Sequence, residues 1–411
     1  MTKLELHQAP WLREKPLQRV LAALGGEARI VGGAVRNALI GAEVKDVDIA
    51  TPLTPDEVTQ RLTAAGIKPV PTGIEHGTIT AVADGKPYEV TTLRRDVETD
   101  GRRAVVAFTT DWREDAARRD FTMNALYAAA DGEIFDYHNG IADLTAGRVR
   151  FIGDATARIR EDYLRILRLF RFHAWYGKGE IDPTALKAAA SEKAGIAKLS
   201  GERIQQEILR LLEAENPAPM LRVMAASGIL SEIFPGKVDV TRMERIAAID
   251  AANFFTPDPV LRLAALLGND EKTVAAVAER FKLSNKDRAR LEDLAGGQEK
   301  IVSYLSIREV RKLLYRLDSG RFRDRAFLRW ADDPKTSNAI QWRALLELAN
   351  TWQRPVFPLT GRDVMQAGVP EGPLVGQILS EVEDWWIDAD FTDDEFSLAE
   401  RLKAVVQATA Y

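Results

Sequence analysis

Two aspartates stand two residues apart at Asp46 and Asp48, in the segment Lys45-Asp46-Val47-Asp48-Ile49. Residues two apart on a β-strand face the same side, so we predict that both carboxylates project together while Val47 and Ile49 face the core. Convergent carboxylates suit Mg²⁺, which takes one or two of them together with waters and substrate phosphates. The same pattern is also typical of a strand end on a solvated face. The neighbouring segments decide between the two interpretations.

A glycine pair precedes these aspartates. Gly32 and Gly33 come directly before a predicted helix over residues 34–40. The first N–H groups of a helix and its dipole favour a phosphate, and glycine allows a close approach of the backbone. Arg36, in the first turn, would add a charge-assisted contact to a triphosphate. A tight turn without a ligand is the alternative.

A third carboxylate follows on a later predicted strand. Glu89, within Tyr88-Glu89-Val90, would join Asp46 and Asp48 in one cluster. Phosphoryl transfer with two metal ions activates the attacking oxygen and stabilises the leaving group, which gives a third acid a role. The alternative is a surface glutamate on a strand.

A second polar segment runs from Arg118 to Ala125. On the helix predicted over residues 111–125, Asp120 and Asn124 lie one turn apart on the same face, directly after Arg119. These side chains could hold a ribose and phosphates. A solvated helix end with an Asp–Asn contact is the alternative.

The segment Glu161 to Phe172 repeats charged residues every third position, at Asp162, Arg165, Arg168 and Arg171. We predict one helix with these groups partly enclosed, although a plain amphipathic helix would show the same spacing. An enclosed Asp162–Arg165 pair places an acceptor beside donors, which matches the base edges of cytosine and adenine; uracil and guanine present an N–H where arginine needs an acceptor. Such a pair would select bases without a nucleic-acid template.

Strands and helices alternate up to about residue 150. The predicted strands are 28–31, 46–50, 76–82 with 88–93, and 126–130 with 133–137, and the predicted helices are 12–24, 34–40, 56–65 and 111–125. Asp84-Gly85 and Asp131-Gly132 predict hairpin turns, and Thr51 or Thr54 can cap the helix over 56–65. Residues 94–110 are predicted to form a mobile polar loop. From residue 155 helical periodicity dominates, so we predict an α+β head with a mixed sheet, followed by an all-α region.

The composition limits the remaining possibilities. A chain of 411 residues exceeds one hydrophobic core, and without cysteine it has neither disulfides nor thiolate metal sites. No stretch is apolar enough to span a membrane, which favours the cytoplasm. The net charge of −5 gives no global basic footprint, yet arginines cluster between residues 94 and 171. The acidic segment 381–395 is predicted to be solvated surface.

Together these segments resemble the class II CCA-adding tRNA nucleotidyltransferase and bacterial poly(A) polymerase family, with matching order and spacing over about residues 25–175. The resemblance rests on Gly32-Gly33-Ala34-Val35-Arg36, Asp46-Val47-Asp48, the segment from Pro71 to Thr78, Glu89-Val90-Thr91-Thr92, and the segments 118–125 and 161–172. Further on, residues 200–204, 359–363 and 368–373 resemble the CCA-adding branch.

The resemblance implies a nucleotidyltransferase head (1–150), a helical neck with the base-reading helix (151–215), a helical body (216–335) and a tRNA-binding helical tail (336–411). It implies Mg²⁺ at Asp46 and Asp48, with Glu89 as the third carboxylate, and CTP and ATP as substrates on tRNA. Nucleotide contacts carry over to Gly33, Arg36 and Arg119, base reading to Asp162 and Arg165, and assistance to Arg168 and Arg171. We assign no oligomeric state from the sequence.

Two details bear on the branch of the family. Asn37 stands where the family commonly has Asp, which keeps the hydrogen-bonding shape without the charge. The core Asp100-Gly101-Arg102 of the polar loop resembles the loop that permits the switch from C to A addition, and therefore favours a full CCA-adding enzyme. The alternatives are a poly(A) polymerase and, in a different class, a non-catalytic RNA-binding protein on a decayed head.

Overall fold

The computed structural model describes residues 3–5, 7–74, 77–100, 103–392 and 394–409, with the backbone alone described for 96–100 and 103–106. The motif residues His76, Gly101 and Arg102 lie outside the described residues. The chain forms two compact units. The first runs up to Val240 and includes Thr256–Pro259 and Ala276–Leu283, and the second comprises Thr241–Phe255, Val260–Ala275 and the chain from Ser284 onward.

The head contains two sheets. The strands are β1 (Arg29–Val31), β2 (Asp48–Thr51), β3 (Lys68–Gly73), β4 (Thr78–Ala83), β5 (Lys86–Thr92), β6 (Arg94–Asp100), β7 (Arg103–Phe108), β8 (Leu126–Ala128) and β9 (Ile134–Asp136). A seven-stranded sheet has the order β3-β4-β5-β2-β1-β8-β9, and β6 and β7 form a separate ribbon. Within the larger sheet β2 and β5 are parallel, with Ile49 opposite Val90, and the other pairings are antiparallel. The sheet is therefore mixed, as predicted.

Helices make up the remainder. In the first half they are α1 (Lys15–Leu24), α2 (Gly33–Leu39), α3 (Pro55–Ala64), α4 (Trp112–Ala117), α5 (Gly140–Ala146), α6 (Ala155–Glu161), α7 (Leu164–Tyr176), α8 (Pro183–Ser191), α9 (Gly201–Leu212), α10 (Ala218–Ala226) and α11 (Ile229–Ile233). Those that follow are α12 (Val240–Asn253), α13 (Pro259–Leu267), α14 (Glu271–Arg280), α15 (Asn285–Gly296), α16 (Ile307–Leu317), α17 (Ser319–Asp332), α18 (Ala339–Thr351), α19 (Gly361–Gln366), α20 (Pro373–Asp388) and α21 (Glu395–Thr409). No helix in the described part of the chain is long and apolar enough to cross a membrane.

Local sequence signals account for several of these elements. Thr54 and Glu57 form the capping box that begins α3, where Thr54 was one of two predicted caps. The turn between β4 and β5 has positive φ at Asp84 (50°) and Gly85 (81°), as a tight hairpin requires. The predicted hairpin of β8 and β9 is also confirmed.

Two predictions in the head are wrong. Most of the predicted loop 94–110 is a paired ribbon of Arg94–Asp100 and Arg103–Phe108, because the apolar, β-branched sequence of β7 pairs with the polar strand β6. The helix predicted over 111–125 ends at Ala117, and Phe121 is extended and bridges to Phe151. Phe121 is fully buried against Phe151 and Phe172, so tertiary packing overrides the helical pattern there.

The helix predicted across Asp162 is also interrupted. Asp162 has extended backbone angles (φ −154°, ψ 106°) between α6 and α7. Its Oδ1 accepts a hydrogen bond from the backbone N–H of Leu164 at 3.1 Å. Asp162 thus holds the turn that precedes α7, whose N-cap is Tyr163, instead of continuing the stripe of Arg165, Arg168 and Arg171.

The acidic segment 381–395 packs beside a basic helix face within the second unit. Arg316 of α16 lies 3.1 Å from Asp384, Lys312 pairs with Asp388, and the Tyr315 hydroxyl donates to Glu383 at 2.5 Å. The carboxylates of Asp384 and Asp388 remain largely exposed, as predicted, but they are paired rather than only solvated.

Candidate active site

A cleft of about 480 Å³ gathers most of the predicted site residues. Strand β1 and the turn after it, the start of β2, the segment after α4 and the helix α7 form its walls. The residues that line it are Val31, Gly32, Gly33, Arg36, Asp48, Arg94, Arg118, Arg119, Asp120, Asn124, Asp162, Arg165, Arg168 and Phe172. Of the predicted set, Asp46, Glu89 and Arg171 are not in this lining.

The glycine turn lies at the end of β1. Gly32 has φ +67°, and a Cβ atom there would stand 3.6 Å from the carbonyl oxygen of Asn124 and 3.7 Å from Nη1 of Arg119. The chain enters α2 at Gly33. These distances are ordinary contacts, so glycine at 32 is favoured by the positive φ, which other residues rarely adopt.

Arg36 is held from several sides and is 8% exposed. Its Nη1 donates to Oδ1 of Asn124 at 2.5 Å, its Nη2 donates to the Tyr176 hydroxyl at 2.8 Å, and Oδ1 of Asn37 accepts from Nε and Nη2. The guanidinium carbon lies 4.2 Å from the centre of the Tyr176 ring. Burial lowers the pKa of Arg36, which its neighbours offset in part. Four N–H groups are thus committed, and one remains for a ligand.

Asp115, which the sequence did not single out, organises the arginines that follow it. Its carboxylate is 1% exposed and accepts hydrogen bonds from Arg118 (2.8 Å), Arg119 (3.0 Å) and the Tyr127 hydroxyl (2.8 Å). Burial opposes ionisation, but the charges of Arg119 and Arg118 and the hydrogen bonds outweigh it and lower the Asp115 pKa to about 2. The position of an acid three and four residues before two arginines on a helix is the sequence signal.

Removal of the Asp115 charge is expected to destabilise the head. Asp115→Asn leaves two enclosed arginines short of a counter-ion, which costs about 3 kcal/mol of unfolding free energy. Because the folded pKa lies below the ordinary value, the wild-type contribution is present above about pH 4 and disappears as the pH falls toward about 2. Urea unfolding from pH 3 to pH 7 measures it.

The matched control for this prediction is Glu43→Gln, since Glu43 is an exposed acid in the same unit. Wild type and this control should lose stability on acidification in parallel. Asp115→Asn should lose less stability between pH 5 and pH 3. Identical pH profiles for all three proteins would contradict the role of Asp115.

A chain of alternating charges connects the segment after α4 to α7 and α9. Asp120 accepts from Nε of Arg168 at 2.7 Å, from the Asn124 amide at 2.9 Å and from the backbone of Phe121. Burial opposes ionisation of Asp120, but Arg168 and these hydrogen bonds lower its pKa to about 2. Glu207 of α9 then lies 3.5 Å from Arg168 and 2.6 Å from Arg171.

These alternating charges explain why Arg171 does not line the cleft, because the guanidinium of Arg171 is directed to Glu207. Burial lowers the pKa of Arg171 to about 10, although Glu207 raises it. Sequence reasoning missed Glu207. Its signal was a charged residue on the apolar face of a helix, next to Ile204, Ile208 and Leu211.

Asp162 and Arg165 both line the cleft but do not pair through their side chains. Asp162 accepts from Nη2 of Arg203 at 2.6 Å. Arg165 donates to Oε2 of Glu161 and to the backbone carbonyls of Arg158 and Arg118. These bonds use three N–H groups of Arg165 and leave two for a ligand. The predicted pair is therefore two neighbouring groups with separate supports, a consequence of the helix break at Asp162.

The carboxylates meet at one edge of the cleft. Since Ile49 is opposite Val90, Asp48 and Glu89 are also neighbours in register on parallel strands, about 5 Å apart at the backbone. Burial, Glu89 and Asp46 together raise the pKa of Asp48, and Arg119 opposes the rise. Asp46 lies just before β2 and not within it as predicted. Among the described residues no group of three or more His, Cys, Asp or Glu is close enough to hold a metal ion unaided.

The chain is similar to known proteins over most of its length. Residues 28–150 match the Poly A polymerase head domain, and residues 180–238 match the probable RNA and SrmB-binding site of polymerase A. The chain is 33% identical to the mitochondrial CCA tRNA nucleotidyltransferase 1 of Mus musculus, over 95% of this chain and 89% of the mouse protein. The chain belongs to the CCA tRNA nucleotidyltransferase family.

Bacterial members of the CCA-adding family are similar to it over comparable lengths. The CCA-adding enzyme of Levilactobacillus brevis is 32% identical over 90% of this chain and 91% of its own. The crystal structure of the Bacillus stearothermophilus CCA-adding enzyme in complex with CTP has a TM-score of 0.71 at 25% identity, and covers 97% of this chain and 99% of that one. The predicted family and the predicted fold, an α+β head followed by helices, are confirmed.

Proposed function

We propose that this chain adds C, C and A to the 3′ end of tRNA without a nucleic-acid template. In each step the RNA 3′-hydroxyl attacks the α-phosphate of CTP or ATP and pyrophosphate leaves. The observation that carries the proposal is the position of Asp48, which lines the arginine-rich cleft and also adjoins Glu89 and Asp46. The name of the mouse relative supports tRNA as the acceptor, and the name of the bacterial relative supports addition of CCA.

The nucleotide would occupy the cleft with its triphosphate toward the glycine turn. The backbone at Gly32 and Gly33, the guanidinium of Arg36 and Nη1 of Arg119 lie there. Asp120 and Asn124 would act through the arginines they hold, Arg168 and Arg36. These residues provide donors and positive charge around a polyanion, which is what stabilises a phosphoryl-transfer transition state.

Mg²⁺ fits the carboxylate edge. Asp48 has a raised pKa because of burial and the charges of Glu89 and Asp46, and a cation would relieve that repulsion. Two carboxylates suffice because Mg²⁺ shares its ligand shell with waters and substrate phosphates. Asp46 and Asp48 would hold the ion and Glu89 would add the third carboxylate. When bound, Mg²⁺ lowers the pKa of the attacking hydroxyl and neutralises charge on the phosphates.

Base selection would rest on Asp162 and Arg165. Arg203 and the N–H of Leu164 fix the Asp162 carboxylate, and Glu161 and two carbonyls fix Arg165. The Asp162 carboxylate can accept from the exocyclic amine of cytosine or adenine, and the Arg165 guanidinium can donate to the ring nitrogen beside it. Arg168 and Arg171 would assist with charge.

Nucleotide omission tests this function. With tRNA lacking its CCA end, CTP alone should add two nucleotides, and CTP with ATP should add three and then stop. Long A tails on generic RNA with ATP would support a poly(A) polymerase instead. Binding of tRNA without any incorporation would support a non-catalytic RNA-binding protein.

The proposal extends to the parts of the chain and to its location. Residues 1–150, 151–215, 216–335 and 336–411 would serve as catalytic head, neck, body and tRNA-binding tail. The cytoplasm is the proposed location, although the mouse relative is named as mitochondrial.

A further inference from the structure

Arg36 is held differently from other arginines of the cleft. Four others are each paired with a carboxylate at 3.0 Å or less: Arg118 and Arg119 with Asp115, Arg165 with Glu161, and Arg168 with Asp120. The hydrogen bonds of Arg36 go instead to the neutral oxygens of three side chains, Asn37, Asn124 and Tyr176. In the described part of the chain no carboxylate forms an ion pair with Arg36. A buried cation therefore has neutral partners only.

Two of these neutral partners are themselves fixed in place. The Nδ2 of Asn37 donates to the backbone carbonyl of Glu43 at 2.8 Å, which turns its Oδ1 toward Nε (3.1 Å) and Nη2 (2.9 Å) of Arg36. The Tyr176 hydroxyl accepts from the same Nη2 at 2.8 Å, and its ring lies under the guanidinium, 4.2 Å from centre to carbon. A ring face and two neutral oxygens stabilise a cation without cancelling its charge.

The third partner separates Arg36 from the nearest acid that acts on it. Asn124 accepts from Arg36 through Oδ1 and donates to Asp120 through Nδ2. The Asp120 carboxylate is already paired with Arg168. Asp120 thus acts on Arg36 only through space, and the charge of Arg36 stays uncompensated by a direct contact.

Tyr176 connects Arg36 to the helix that carries the base-reading residue Arg165. Positions 168, 172 and 176 are four residues apart and share one face of α7. The Phe172 ring on this face lies between two guanidiniums, 5.2 Å from that of Arg36 and 5.1 Å from that of Arg168. One face of α7 therefore supports the arginine beside the glycine turn.

A buried charge without a counter-ion is unfavourable, and buried charges in proteins are normally paired. Nη2 of Arg36 adjoins the glycine turn, since a Cβ atom on Gly33 would stand 3.7 Å from it. A polyanion at this turn would supply the missing negative charge. We propose that Asn37 and Tyr176 are positioning residues, which hold Arg36 at the turn without neutralising it and so reserve its charge for the phosphates beyond the α-phosphate. This inference rests on the proposed function.

The residue type at position 37 is decisive for this arrangement. A carboxylate there would occupy the place of Oδ1, pair with Arg36 and compete with the nucleotide. The amide accepts the same hydrogen bonds and leaves the charge to the ligand. The consequence is a preference for a triphosphate, because a nucleoside monophosphate ends before it can complete Arg36.

Direct binding of CTP and CMP to the full chain with Mg²⁺ and without RNA tests the preference. Tyr176→Phe keeps the ring but loses the hydroxyl, and should weaken CTP binding about threefold to tenfold. Asn37→Asp should weaken it about tenfold or more, because a fixed negative charge then faces the triphosphate. CMP binding should stay within about twofold of wild type in both variants. Isothermal titration calorimetry measures both affinities.

Asn37→Ala separates the added charge from the lost support. Like Asn37→Asp, it removes the hydrogen bond to the carbonyl of Glu43, but it adds no charge. It should therefore weaken CTP binding less than Asn37→Asp does. Equal weakening of CTP binding by the two variants would overturn the inference.

Two matched controls use a similar pair and a similar charge outside the cleft. The Tyr137 hydroxyl accepts from Arg29 at 2.8 Å and lines no part of the cleft, so Tyr137→Phe should leave CTP binding unchanged. Asn216 is exposed in the same unit, so Asn216→Asp adds a carboxylate away from the cleft and should also have no effect.

The inference is wrong if Tyr176→Phe and Asn37→Asp both bind CTP within twofold of wild type, or if they weaken CTP and CMP equally. Equal weakening would show that Asn37 and Tyr176 support the fold or the nucleoside and not the outer phosphates. Its failure is distinct from failure of the proposed function, because the addition of CCA by the wild-type protein is measured separately.

Discussion

Asp48→Ala is expected to reduce nucleotide incorporation by about a thousandfold or more while tRNA binding stays near the wild-type level. Asp48 lines the nucleotide cleft and adjoins Glu89 and Asp46, so it lies where the incoming α-phosphate and the 3′-hydroxyl would meet in the proposed reaction. Loss of one preorganised group at such a position typically costs two to three orders of magnitude in rate, and loss of a metal ligand adds to that. Single-turnover incorporation of labelled CTP measures the rate, and filter binding measures the affinity for tRNA.

A surface aspartate provides the control for this variant. Asp56, in the first turn of α3, is exposed and does not line the cleft, so Asp56→Ala should retain wild-type incorporation. Asp48→Ala should also fold normally, because the pKa of Asp48 is raised and its ionised form is therefore not a source of stability. Incorporation within tenfold of wild type in Asp48→Ala would refute the assignment of this carboxylate to the reaction.

Much of the carboxylate edge could be predicted from the sequence because it depends on local rules. Consecutive side chains on a strand point to opposite faces of the sheet, so Asp48 faces away from the side on which Ile49 is fully buried. The partnership with Glu89 is less local, since it depends on the parallel pairing of β2 with β5, which the sequence does not encode at either position alone. From the residues alone, Glu89 is therefore a candidate third carboxylate with a surface strand glutamate as the alternative.

The errors arose where tertiary contacts compete with a helical pattern. Residues 111–125 look helical by periodicity, yet burial of Phe121 between Phe151 and Phe172 requires an extended chain. At Asp162, the carboxylate accepts a hydrogen bond from the backbone N–H of Leu164 and pairs with Arg203. These two contacts replace the helical backbone hydrogen bonds that are lost. A spacing of three residues cannot distinguish a continuous stripe from two helices with a capped break.

The partners of the arginines were the least predictable part of the site. Asp115, Arg203 and Glu207 each hold a residue of the predicted site, but they lie on elements separated from most of their partners in the chain. Only the contact of Asp115 with Arg119 joins residues close in the sequence, four positions apart. The sequence therefore identified groups suited to contact a nucleotide and missed most of those that fix their orientation.

Arg165→Lys is expected to weaken discrimination against UTP about a hundredfold while CTP incorporation falls much less. In the structure, Arg165 commits three N–H groups to Glu161 and to the carbonyls of Arg158 and Arg118, which leaves two for the base. Lysine can keep the ion pair to Glu161, but its single ammonium cannot also present a planar pair of donors. A site built to hydrogen-bond one base edge loses its selectivity when that edge is no longer read. The ratio of kcat/KM for CTP and UTP measures the effect.

Two further variants separate base reading from support of the helix break. Arg160, near the end of α6, is largely exposed and pairs with Glu192 outside the cleft, so Arg160→Lys should leave the CTP/UTP ratio unchanged. Arg203→Ala should lower the ratio although Arg203 does not line the cleft, because Asp162 then loses the partner that fixes its Oδ2. If Arg165→Lys and Arg203→Ala both keep the wild-type ratio, selection of C and A must reside elsewhere in the cleft. If Arg165→Lys lowers the ratio but Arg203→Ala keeps the wild-type value, the N–H of Leu164 alone is sufficient to orient Asp162.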